Sequence, residues 1–325
     1  MKAIVCPKYG PPDVLQLKEV ALPTPKADEV RVKILAASLN KTDIEIIRGW
    51  LFVRLAGGLR QPSVKILGCD FSGRVDSIGK EVTQFKPGDE VYADLMYQTP
   101  AYGAFAEYVC IPEKRLRMKP TNMSFKEAAT IPQAAVLAIQ GIKGKTPPKP
   151  GQKVLINGAG GGVGTFAIQI AKYYGTEVTA VDSAAKFEMM RSIGADHVID
   201  YTTEDFTTKG KHYDLILDVV AKKSVFAYRR ALRSNGRYRA VGGSAGQIFQ
   251  ILLLGSIISW FSSKKIGLLI GHPNKKEDMD FLAELFESKK VVPIIEKAYP
   301  LKEAAKALRY LEEGHAMGKL VVTMD

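Results

Sequence analysis

Five glycines within eight residues, Asn157-Gly-Ala-Gly-Gly-Gly-Val-Gly164, constrain this chain of 325 residues more than any other feature. Glycine loses more conformational freedom on folding than any other residue, so a run this bare calls for a tight turn or the close approach of something to the backbone. The flanks narrow the choice. Lys153-Val-Leu-Ile-Asn157 reads as a buried strand and Val163 to Tyr174 as a helix, with the run as the turn between them. Its spacing is Ala159-x-Gly161-x-x-Gly164, with Gly158, Gly160, Gly162 and Val163 filling the remaining places. Such a turn lets a pyrophosphate approach the backbone and packs the helix close to its strand. The helix that follows offers unpaired N–H groups and the positive end of its dipole. Asp182, 18 residues beyond Gly164, ends the next strand-like stretch, Glu177 to Val181. An acid there pairs with ribose hydroxyls and repels a 2′-phosphate, which favours NAD. Ser183, Lys186 and Tyr201 are the residues placed to grip a 2′-phosphate instead. No Gly-Lys-Ser/Thr follows the turn, which excludes a P-loop.

The strand–turn–helix unit repeats. Helix-like Ala184–Ile193, strand-like His197–Ile199 and Asp214–Asp218, helix-like Ser224–Leu232 and strand-like Arg237–Val241 follow in order. Regular alternation predicts a doubly wound parallel sheet, an α/β fold. Residues 1 to about 120 instead alternate apolar and polar at period two, as in Val30-Arg-Val-Lys-Ile34, with turns such as Lys86-Pro-Gly-Asp89 between runs. That pattern predicts short antiparallel strands in a barrel-like first domain. Helices at about 277–289 and 302–313 and a strand at about 319–323 close the chain and are expected to rejoin it.

Composition excludes several classes. Lys and Arg exceed Asp and Glu by 12, yet they are spread in short clusters, with no recognition helix, zinc finger or stacking motif, so no specific nucleic-acid role is expected. The most apolar run, Ile251 to Phe261, is shorter than the roughly 18–20 residues of a membrane span, so none is expected. A buried helix is the simplest reading of Gln250 to Phe261; a substrate cleft wall or a contact with lipid are the others. The first residues do not read as a signal peptide. Cys6, Cys69 and Cys110 suit neither a disulfide framework nor a zinc knuckle, and a reducing, cytoplasmic setting is expected.

The chain resembles the medium-chain dehydrogenase/reductase superfamily in its zinc-free quinone oxidoreductase branch. The resemblance lies in Met1-Lys-Ala-Ile with Tyr9-Gly-Pro-Pro, Ser38-Leu-Asn40 with Asp43, and Leu67-Gly-Cys-Asp-Phe-Ser-Gly73. It continues in Phe85 to Val91, Gly103 to Tyr108, Gly158 to Gly164, Gly194 to Tyr201 and Gly314 to Lys319. It implies a GroES-like β-barrel catalytic domain, residues 1–125 with 266–325, and a Rossmann domain, residues 126–265. Where zinc-dependent members hold a catalytic metal, this chain has Asn40, Cys69 and about Gln133, and no metal is expected. The implied activity is NAD(P)H-dependent reduction of quinones or α,β-unsaturated carbonyls, with NADPH slightly favoured by the resemblance although Asp182 argues for NAD. Asn40 and Asp43 are the implied catalytic residues, although Asp43 is also suited to a structural task. The nicotinamide end is expected at Val241, Gly242 and Leu269, with Lys319 a further cofactor contact. Lys265 to Ile270 is expected to pair across a homodimer. The alternatives are a 2-enoyl thioester reductase and, in another class, a weakly catalytic cofactor-binding protein with a polyanion-binding surface.

Overall fold

The computed structural model describes residues 1–50, 53–55, 58–63, 65–96, 103–208, 210 and 212–324. Lys2–Val5 (β1) and Gln16–Glu19 (β2) form an antiparallel pair. Glu29–Ser38 (β3) is the spine of the first unit: Val30, Val32 and Ile34 face the core while Arg31 and Lys33 stand between them, the period-two pattern of a half-wet strand. Around it lie Asp70–Ile78 (β4), Glu90–Asp94 (β5), Tyr108–Pro112 (β6) and Arg117–Met118 (β7), all antiparallel to their partners. Gly68, at φ +93, turns the chain into β4 where a Cβ would strike Phe105, so only glycine fits there. Lys41–Arg48 (α1) follows β3 directly. Phe125–Ala129 (α2) is closed by a reciprocal cap: Ser124 N–H donates to Glu127 Oε2 (2.7 Å) and Glu127 N–H to Ser124 Oγ (3.3 Å).

The second unit begins with Val136–Lys143 (α3). Its strands are Lys153–Asn157 (β8), Glu177–Asp182 (β9), His197–Asp200 (β10), Tyr213–Asp218 (β11), Leu232–Ala240 (β12) and Lys265–Leu268 (β13). The helices between them are Gly162–Tyr173 (α4), Phe187–Ser192 (α5), Val225–Ala231 (α6) and Ala245–Phe261 (α7), and Lys276–Glu287 (α8) follows β13. All six strands run parallel in the order β10-β9-β8-β11-β12-β13. Counted from β8, this is the 3-2-1-4-5-6 order of a Rossmann sheet, whose direction of winding reverses between β8 and β11. The expected helix Ala184–Ile193 opens as a 3-10 turn, Ala184–Lys186, before α5. Of α7, Ile251, Gly255 and Ile258 are buried, so the expected buried helix has one face in the core and one outside it.

The chain then returns to the first unit with Ile295–Pro300 (β14), Ala304–Glu312 (α9) and Lys319–Thr323 (β15); β15 pairs antiparallel with β3. Residues 1–133, 273–276 and 295–325 form the first compact unit, and 134–272 with 277–294 the second. These divisions differ from boundaries at 125/126 and 265/266 for physical reasons. Helix α2 packs on β3 and β4, whereas β13 hydrogen-bonds to β12 and so stays with the parallel sheet. Among the described residues no helix is long and apolar enough to cross a membrane.

Candidate functional site

In the second unit the glycine turn lies at the carboxyl end of β8, beside the reversal of strand order, where open α/β sheets take their ligands. Gly158, at φ +79, starts it. Gly164 packs so tightly that a Cβ would overlap Gly158 O and the Ala159 backbone, which is the close helix–strand contact the spacing predicts. Gly161 is different: a Cβ there would meet nothing nearer than Gly158 O at 3.6 Å. It is the N-cap of α4 and has no side chain to cap the helix, whose first N–H groups lack an intrahelical acceptor. The turn therefore fits a dinucleotide pyrophosphate, with Ala159, Gly160, Gly162 and Val163 completing the loop.

Asp182 ends β9, as expected, and its carboxylate is already engaged. Oδ2 accepts from Gly160 N–H (2.9 Å), Oδ1 accepts from Ser183 N–H (2.9 Å), and Lys186 Nζ stands 3.3 Å from Oδ1. Both side chains of the ion pair are buried. The expected phosphate-gripping trio is thus split: Lys186 faces Asp182 inside the loop, while Tyr201 is exposed and linked to Asp182 through its backbone N–H. Val241 and Leu269 lie just past β12 and β13, their N–H groups bound to Asp218 O and Ala240 O; around Gly242 a Cβ would meet nothing within 4 Å.

Sequence reasoning gave Asp218 no role. Fully buried, it accepts from Asn157 Nδ2 (2.8 Å), Val220 N–H (3.0 Å), Ala221 N–H (2.7 Å) and Tyr238 OH (3.1 Å). It thereby ties the end of β8 to the loop after β11. Its place as the last residue of an apolar strand is the one signal that would have singled it out.

In the first unit, cross-strand register sets Ser38 opposite Asp70 and Asp70 opposite Asp94, a row across β3, β4 and β5. Asp70 Oδ2 accepts from Ser38 Oγ (3.2 Å) and Asn40 Nδ2 (2.9 Å). Lys319 Nζ donates to Leu39 O (2.9 Å) and Asn40 Oδ1 (2.6 Å) and lies 4.0 Å from Asp70 Oδ2. The Asn40 amide is therefore fixed at both ends, and the second N–H of its Nδ2 is its remaining donor. Lys319, expected as a cofactor contact, is the internal counter-ion of this buried cluster. Asp43 takes a capping role: Oδ2 accepts from Asn40 N–H (2.8 Å) at the start of α1. Buried oxygens without a hydrogen-bond partner remain on Asp43, Asp70 and Asp94.

Burial, more than any neighbouring charge, pushes the Asp43 and Asp94 carboxyls up to about 7 and raises that of Asp70. Burial also raises the Cys69 thiol well above its ordinary value, helped by Asp43, Asp94 and Asp70, and pulls the Lys319 ammonium down. A carboxyl held at about 7 in the folded protein against 3.8 unfolded keeps its proton in between. Its stabilising contribution is full below about pH 4 and is lost as pH rises through about 7. Urea unfolding is therefore expected to show the wild type losing on the order of 5 kcal/mol between about pH 5 and pH 8, roughly half from each of Asp43 and Asp94, with a smaller loss in Asp94→Asn. Equal slopes for the two proteins would refute the buried-acid description.

Two family patterns match this chain: the alcohol dehydrogenase GroES-like domain over residues 26–121 and the zinc-binding dehydrogenase over residues 193–322. The 2-methylene-furan-3-one reductase of Solanum lycopersicum is 34% identical over 99% of this chain and 79% of the relative. The chloroplastic NADPH-dependent alkenal/one oxidoreductase of Arabidopsis thaliana is 33% identical with the same coverage. Among solved structures, a quinone oxidoreductase from Coxiella burnetii superposes with a TM-score of 0.89 at 29% identity, covering 100% of this chain and 99% of that one. The chain belongs to the medium-chain dehydrogenase/reductase superfamily, in its zinc-free quinone oxidoreductase branch, and has that family's GroES-like and Rossmann folds.

One matching pattern is described as zinc-binding, and the residues here do not suit zinc. Asn40 is held by Lys319 and Asp70, Cys69 is the one thiol of the three, and the Gln133 amide donates to Met96 Sδ (3.7 Å). Catalytic zinc takes three Cys, His or carboxylate ligands. Among the described residues no group of three His, Cys, Asp or Glu is placed to hold a metal ion.

Proposed function

We propose that this protein is an oxidoreductase that reduces quinones or α,β-unsaturated carbonyls at the expense of a reduced nicotinamide dinucleotide. The observation that carries the reading is the open, uncapped turn at Gly161, at the start of α4 beside the strand-order reversal. The names of the relatives support it: a furanone reductase, an alkenal/one oxidoreductase and a quinone oxidoreductase. The cofactor, when bound, supplies a hydride. The protein's own part is binding and orientation. The glycine turn and the N–H groups of α4 hold the phosphates. Asn40, fixed by Lys319 and Asp70, keeps one amide N–H directed for a carbonyl or carboxamide oxygen. Electron-poor acceptors need no Lewis acid, which agrees with a donor set unsuited to zinc. The outer edge of β13, last in its sheet, supports a homodimer formed by strand pairing.

The Asp182–Lys186 pair is the element that chooses between NADH and NADPH. Paired, the acid loses much of its repulsion toward a 2′-phosphate, and the lysine is the cation such a phosphate would recruit. Lys186→Met is expected to raise KM for NADPH about 10–100-fold, the worth of one charge-assisted hydrogen bond, and to change that for NADH by a few-fold at most. Asp182→Asn shifts preference the opposite way. Loss of reduced-nicotinamide absorbance, followed with each cofactor against a quinone, an enone and an enoyl thioester, tests the whole reading. Turnover confined to the thioester would make the protein an enoyl thioester reductase. Binding of both cofactors with no turnover on any acceptor would leave only a cofactor-binding protein.

A further inference from the structure

Two side-chain amides of the first unit, Asn40 and Gln133, are each 7% exposed, buried yet open to a small ligand. Both lie at the first turn of α1. Asn40 is its N-cap residue, and Thr42, two places on, donates from Oγ1 to Gln133 Oε1 (3.4 Å). The Gln133 backbone N–H also faces the carboxylate of Asp70, to which Asn40 Nδ2 donates (2.9 Å). One carboxylate thus ties both residues to the start of β4. Gln133 is the middle residue of Ile131–Ala135, a π-helical turn. Such turns are rare and recur at functional sites.

Neighbours assign the two ends of each amide. An ammonium only donates, so the atom that Lys319 Nζ meets at 2.6 Å is the Asn40 oxygen, and Asp70 meets the nitrogen. For Gln133, the Thr42 hydroxyl donates to the oxygen and the Met96 thioether accepts from the nitrogen (3.7 Å). A thioether is a weak acceptor, so this contact orients the amide without satisfying it. An amide nitrogen carries two N–H groups, and among the described residues each of these two has one to spare. A buried donor left unmade is costly, so two beside one helix turn call for an acceptor that arrives with a ligand.

We propose that the Asn40 and Gln133 amides together bind the carbonyl oxygen of the acceptor and stabilise the negative charge that gathers on it, with Thr42 as the positioning residue of Gln133. The inference rests on the reductase reading given above and deepens it. In that reaction the β-carbon of an enone takes the hydride. The alkene pair becomes the double bond between the α-carbon and the carbonyl carbon, the carbonyl π pair moves to oxygen, and the enolate takes a proton from water at its α-carbon. A quinone gathers charge on oxygen in the same way and takes its proton there. Donors already fixed in place act on that oxygen without reorganising as the charge develops. Their neutrality also sets the substrate class: uncharged ketones, aldehydes and quinones, because a carboxylate calls for a cation.

The test measures the full chain with NADPH and an enone, and adds p-nitrophenol, an oxyanion mimic that needs no turnover. Gln133→Leu is expected to lower kcat about 100-fold, the worth of one oxyanion donor, with the dissociation constant for NADPH within about twofold of wild type. Thr42→Val is expected to lower kcat about tenfold, and Thr42→Ser, which keeps the hydroxyl, to restore most of it. Bound p-nitrophenol is expected to titrate at a lower pH than the free compound in the wild type, and nearer the free value in Gln133→Leu. Unchanged circular dichroism and melting temperature confirm the fold of each variant. A wild-type kcat in Gln133→Leu, a loss confined to NADPH affinity, or a probe that titrates alike in both proteins would overturn the proposal. A wild type that reduces neither quinones nor enones would instead refute the reductase reading, and the phenol titration then judges the amide pair by itself.

Discussion

Lys319→Met is expected to cost on the order of 3–5 kcal/mol of stability at about pH 8, the usual loss when one member of a buried ion pair is removed. Lys319 is nearly inaccessible, and its ammonium is the cation beside Asp70, itself fully buried. Without it, the Asp70 carboxylate is left with neutral partners, among them the Ser38 hydroxyl and the Asn40 amide, and Asn40 Oδ1 loses its 2.6 Å donor. The cost is expected to shrink at about pH 5, where burial has already left Asp43 and Asp94 protonated and the cluster carries less negative charge. Lys319→Met/Asp70→Asn removes both charges and is expected to recover part of the loss, because a neutral buried pair is far cheaper than a lone charge. Chemical unfolding of the three proteins at the two pH values decides the matter. A single variant as stable as the wild type at pH 8 would mean that Lys319 does not balance this cluster.

Gly161→Glu is expected to abolish measurable cofactor binding while leaving the fold intact. The backbone there has φ −90, a value any residue adopts, and an added Cβ meets nothing closer than 3.6 Å, so the structure accommodates the side chain. The carboxylate would occupy the space above the first N–H groups of α4, where it excludes and repels a pyrophosphate. A loss of at least 100-fold in affinity for both NADH and NADPH, with melting temperature within a degree or two, is the expected pattern. Gly164→Ala makes the contrast: its Cβ would overlap Gly158 O, so it is expected to lower the melting temperature as well. Titration of cofactor fluorescence beside thermal unfolding reads both. Normal binding by Gly161→Glu would remove the turn from the candidate site.

Local patterns were legible in the sequence and long-range partnerships were not. The glycine turn, the βα alternation and Asp182 at the end of its strand all follow from spacing within about thirty residues. Ser38, Asp70 and Asp94 form a row only through the register of three strands, and a slip of one position would turn them to the other face. That Lys186 pairs with Asp182, four positions back in the chain, depends on how the loop after β9 folds, which spacing alone does not show. The apolar content of α7 was plain from its residues, whereas its open face depends on which sides the sheet and α6 cover.

Lys319 is separated from Asn40 by 279 positions, with the whole of the second unit lying between them in sequence. On the ribosome the first 133 residues emerge long before the cation that balances their buried aspartates, and β15, which pairs with β3, emerges with that cation. The first unit closes late, only when the segment from residue 295 onward delivers both a strand and a charge.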